Sequence, residues 1–155
     1  MATLTTTITE SVTINAVTRG STNTKQITDI TDVFERVVTV PANSDTTVLV
    51  TKDTVASSDG ALDIQNTKYI RITNLDATNT VNLSLQIDAG NDDSAADESA
   101  TISLPAGHSF IMGTPHDAIA VSDANATINT SMHDLESIIV DSADQSVMVE
   151  VFVAS

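Results

Sequence analysis

Thr67-Lys68-Tyr69-Ile70-Arg71-Ile72-Thr73-Asn74-Leu75-Asp76-Ala77-Thr78-Asn79-Thr80-Val81-Asn82-Leu83-Ser84-Leu85-Gln86-Ile87 holds two alternating runs separated by a polar break. Ile70 and Ile72 share a face opposite Tyr69, Arg71 and Thr73, and Val81, Leu83, Leu85 and Ile87 share one opposite Asn82, Ser84 and Gln86. A period of two residues marks strands with one buried and one wet face. Asn74 to Asn79 supplies residues that tolerate left-handed backbone or cap their own amides, so the reading is a β-hairpin at the centre of the fold.

The same periodicity recurs outward from this stretch. Val147, Val149, Val151 and Val153 share a face near the C-terminus, with Met148, Glu150 and Phe152 opposite. Strands are expected at about 33–40, ended by Pro41, and at 46–51. Ala100 to Leu104 and His108 to Met112 read as a second hairpin around Pro105-Ala106-Gly107, and short apolar pieces follow at Ala118 to Val121 and Ile138 to Val140. With Thr and Val abundant and no convincing long helix, the fold class expected is all-β, an antiparallel β-sandwich of jelly-roll type. No repeat of fixed period is present.

At the N-terminus, Leu4, Ile8, Val12 and Ile14 alternate with Thr3, Thr5, Thr7, Thr9, Ser11 and Thr13, so one face is nearly all hydroxyl. The run exceeds the usual ~5–6 residues of a strand. It is either broken near Glu10 and Ser11 or an extended arm lying on a neighbour, and residues 1–20 are set apart from a single β-sandwich domain at 21–155. Arg19 to Thr24 reads as loop, and Ile27 to Arg36 is ambiguous in period.

A chain of 155 residues buries roughly two-thirds of its unfolded surface as one domain. The absence of Cys excludes disulfides and thiolate metal sites. A net charge of −15 with only six Lys and Arg argues against a nucleic-acid partner. No apolar run approaches a membrane span, and the first residues lack a signal-peptide pattern. The acidity suits a saline medium that screens self-repulsion.

The acid-rich loop after Ile87 offers Asp88, Asp92, Asp93 and Asp97 as a weak calcium candidate, although its spacing misses the EF-hand pattern. His108, His116 and His133 could be pressed into a zinc site but carry no ligand spacing. Gly107-His108-Ser109 and Thr114-Pro115-His116-Asp117 resemble no nucleophile arrangement, and no phosphate-cradling loop is present. The expectation is a non-enzyme with no cofactor. Tyr69, Met148 and Phe152 fall on faces assigned to solvent, so each either fills a second core layer or marks a contact patch. With Leu4, Ile8 and Arg71 they form the set of interface candidates.

Six segments together carry a resemblance: Leu4 to Glu10, Arg19-Gly20-Ser21, Arg36 to Pro41, Lys68 to Asp76, Pro105 to Ile111 and Val149 to Ala154. The chain resembles small acidic structural proteins of tailed bacteriophages, marine ones especially. The resemblance implies a virion protein present in many copies, a capsid decoration or cement protein assembled in the host cytoplasm. Its expected partners are the major capsid protein or other virion proteins, and a homo-oligomer is expected. The alternatives are a tail or adaptor component and, from a different class, a carbohydrate- or calcium-binding β module.

Overall fold

Alternating β-branched and polar residues fold into strands throughout the computed structural model, which describes residues 1–53, 60–89, 96, 98–122 and 127–155. The chain divides into two units, Met1–Asp32 and Val33–Ser155. The first therefore runs past the boundary at residue 20 expected from the sequence, because the stretch from Thr22 is strand rather than loop.

The first unit is one long ribbon. Strand β1 (Ala2–Thr9) pairs antiparallel with β4 (Thr22–Ile30), and β2 (Val12–Ile14) pairs with β3 (Val17–Arg19). The register is the same on both sides of the interruption: Ile8 faces Asn23, the Glu10 amide donates to the Ser21 carbonyl at 2.9 Å, and Val12 faces Arg19. The break falls at Glu10 and Ser11, where the sequence suggests one. Asn15 and Ala16 close the tip with φ of 51° and 62°, the two positive values of a type I′ turn, whose twist matches its strands. Across from Ser11, Gly20 has φ of +136°, and a Cβ there would lie 1.9 Å from the Glu10 carbonyl oxygen, so no other residue fits. The hydroxyl face is real: Thr7 pairs with Thr24, Thr9 with Thr22 and Thr13 with Thr18 through their Oγ1 atoms at 3.1–3.3 Å.

The second unit is a β-sandwich. Its described residues form β5 (Val33–Val40), β6 (Asp45–Lys52), β7 (Leu62–Asp63), β8 (Tyr69–Asn74), β9 (Val81–Asp88), β10 (Glu98–Leu104), β11 (Ser109–Met112), β12 (Asp134–Asp141) and β13 (Val147–Ala154). One sheet has the order β10-β9-β12-β6-β7 and the other β11-β8-β13-β5. Leaving aside the two-residue β7, these are two four-stranded antiparallel sheets in jelly-roll order, as expected.

Both hairpins read from the sequence are corrected by this topology. Strands β8 and β9 lie in different sheets, and so do β10 and β11. The buried faces were placed correctly: Ile70, Ile72, Val81, Leu83 and Ile87 are all at or below 1% exposure. Alternation reports which face is buried, not which strand lies alongside. Ile70 and Ile72 therefore share one core cluster with Leu83 and Leu85 from the opposite sheet rather than from the same one.

The two crossovers between sheets are fastened by Asn74, which is fully buried. Its amide donates to the His108 carbonyl at 3.0 Å, and its carbonyl accepts from the Gly107 amide at 3.1 Å. Its Nδ2 donates to the carbonyls of Asn79 and Leu104, and its Oδ1 accepts from the Asp76 amide. Strand β12 carries a bulge between Leu135 and Ser137 that resets its alternation, so Leu135, Ile138 and Val140 all point inward.

Candidate functional site

The outer face of the four-stranded sheet gathers most of the interface candidates. Arg71 on β8 stands opposite Phe152 on β13, its guanidinium 5.6 Å from the ring centroid, and it also pairs with the Glu150 carboxylate. Tyr69 packs edge-on against Phe152, with centroids 6.0 Å apart and planes at 74°. Of the two readings open for Tyr69, its burial selects the second core layer. Phe152 is half-buried beneath Arg71.

Met148 is 53% exposed, and sequence reasoning missed its companions Val37 at 55% and Ile111 at 46%. All three occupy outward positions, because Val37 faces Glu150, Ile111 faces Arg71, and Met148 alternates with buried Val147 and Val149. The result is a surface of separated aliphatic side chains around one charged pair. Val37 could have been found by extending the alternation of the segment around Val38 and Val40 to its outer face.

Leu4 and Ile8 lie on the ribbon. Leu4 is half-buried opposite Ile27, whereas Ile8 is exposed opposite Asn23.

At one end of the five-stranded sheet, Asp88 is buried and stands directly opposite buried Asp134 of β12. Both line a small cleft with Thr51, Asp53, Ile64 and Glu136. Lys52 neutralises Glu136. Asp92, Asp93 and Asp97 of the calcium candidate lie outside the described residues.

His116 bridges two carboxylates: Nδ1 is 3.0 Å from Asp134 Oδ1, and Nε2 is 3.3 Å from Asp117 Oδ2. The Asp117 amide donates to the same Asp134 oxygen at 2.7 Å, which ties the turn to the start of β12. Among the described residues, His116, Asp117 and Asp134 are the group whose ligand atoms lie within 4.8 Å of one another, and His108 and His133 are not part of it. His108 Nδ1 instead bonds the Ala106 carbonyl, and His133 forms a backbone bridge to Ile119. The signal for Asp134 was the repeated His-Asp pair, His116-Asp117 and His133-Asp134. The hydroxyls near the histidines are bonded locally: Ser109 Oγ to Thr73 Oγ1 at 2.9 Å, and Thr114 Oγ1 to the His116 amide.

A shallow hollow of about 290 Å³ on the outer face of the five-stranded sheet is lined by Asp45, Asn82, Ser84, Gln86, Thr101, Ile139 and Asp141. It offers hydrogen-bonding groups but no aromatic ring on which a sugar could stack. Asp76, in the crossover after β8, has its carboxyl held below the ordinary range by the amides of Asn79 and Thr78.

Fold and surfaces together define the class: an all-β chain with a jelly-roll sandwich and a separate two-stranded ribbon. No family model and no curated protein matches the chain. A solved chain from Bacillus endospore appendages, described as a novel family of disulfide-linked pili, is similar at 12% identity over 81% of this chain and 87% of its own, with a TM-score of 0.36. A likeness that distant carries no argument about this chain.

Proposed function

We propose that this chain is a virion structural protein that decorates and stabilises a bacteriophage head, binding the major capsid protein in many copies. The observation that carries the reading is the outer face of the four-stranded sheet, where Val37, Ile111 and Met148 stay exposed around the Arg71–Glu150 pair. Apolar side chains set around a charged pair offer a protein–protein contact both apolar burial and a charge that fixes its register. Repeated over a shell, a modest contact of this kind adds up at ~25 cal/mol per Å² of apolar surface removed from water. The fold itself hosts many functions and supplies no part of the reading.

Copy number in purified particles tests it. Hundreds of copies on heads lacking tails are expected, and a handful or a ring number on the tail would replace decoration by the tail reading. Replacing Val37 and Met148 together by Asp should abolish head binding while leaving the melting temperature of the free protein within a few degrees, since both side chains are exposed.

A further inference from the structure

The ribbon has an uncovered apolar face. Alternation along the register that runs unshifted from Leu4–Ile27 to the tip sets Ile8, Val12, Ile14 and Val17 opposite the threonine ladder, and each is more than half exposed. An isolated two-stranded ribbon is marginal in water, so a face of this kind calls for a partner.

Charge identifies the partner. Arg19 and Lys25 stand against Glu10, Asp29 and Asp32 in Met1–Asp32, a net of −1, which leaves −14 of the chain's −15 on Val33–Ser155. Two copies meeting through their second units would bring these like charges together, whereas two ribbons meet almost neutral. The pattern is also self-complementary. When two ribbons stack antiparallel about a two-fold axis at Ser11, Ile8 of one copy lies over Ile14 and Val17 of the other, and Glu10 lies at the level of Arg19. In such an isologous contact both pairings occur twice. The chain leaves the ribbon from Ile30, at the end opposite the Asn15-Ala16 turn, so the two exit points of such a stack lie at its opposite ends.

From these observations we infer that the ribbon is a homodimerisation element that packs its Ile8-Val12-Ile14-Val17 face against the same face of a second copy. The inference specifies a contact between copies, whereas the decoration reading specifies a contact with the shell. A chain that dimerises but binds no head would keep the first and remove the second.

The test is the solution mass of the full-length protein by sedimentation. Wild type should move from one copy to two over roughly 1–100 µM, as befits a contact smaller than the standard interface. Ile14→Asp should hold it at one copy with an unchanged main melting transition. Glu10→Lys and Arg19→Glu should each raise the dissociation constant at least tenfold, and the double variant should recover most of the loss. A single copy at every concentration would overturn the inference. So would a dimer indifferent to Ile14→Asp, or one that Glu10→Lys strengthens, as a ribbon docked on an acidic surface would behave.

Discussion

At the residue scale, the side chains that matter most are those whose partners are distant in sequence. Asn74 looks like an ordinary turn residue, yet buried at the corner it bonds two crossovers through both its backbone and its amide. Asn74→Ala leaves the Leu104 carbonyl without its side-chain donor in a buried place and should cost about 1–3 kcal/mol, read by urea unfolding. Leu83 is fully buried, and Leu83→Ala should cost about 2–5 kcal/mol. A loss below ~0.5 kcal/mol, typical of exposed positions, would contradict its inward orientation. Asp76 makes a pH-dependent contribution with a definite sign. Its carboxyl is held below its ordinary value of 3.8 in the folded chain, so its stabilisation is complete above that value and is lost as pH falls through the lowered one. Asp76→Ala should therefore lower the melting temperature slightly at pH 7, and the difference should shrink as pH falls below 3.8. A difference that does not change with pH would mean that the effect is not the charge.

At the scale of elements, the ribbon depends on one glycine. Gly20→Ala places a methyl against the Glu10 carbonyl and forces the ladder apart at its interruption. Amide exchange at Glu10, whose N–H bonds the Ser21 carbonyl, should speed up markedly, while amides of β9 and β12 keep their protection. Unchanged exchange at Glu10 would show that the ribbon can absorb the substitution. The strands themselves were legible: the alternation at 69–74, 81–88 and 147–154 marks their buried faces correctly. The strand Thr22–Ile30 was not, because its Thr, Asn and Gln carry no apolar period and it is ordered by pairing with β1. The outward candidates were half legible. Met148 is exposed as alternation implies, but Tyr69 is buried against Phe152, an aromatic pair that exists only because β8 and β13 are neighbours.

For the whole molecule, charge dominates. With −15 on 155 residues, self-repulsion opposes the compact state. Screening shortens from about 10 Å at 0.1 M salt to about 3 Å at 1 M, so the melting temperature should rise with NaCl across that range. A flat response would show that the charges are already compensated within the fold. Composition and alternation by themselves determined the all-β class, the aliphatic core faces and the acidity, because these depend on residue type and on a local period of two. Only the tertiary structure decided that β8 crosses to the opposite sheet from β9, that Asn74 fastens the crossovers, that His116 meets Asp134, and that the first 32 residues form a ribbon of their own. Those outcomes depend on which distant strands lie side by side, and a local period is blind to that choice because a strand buries the same face whether its partner lies beside it or across the core.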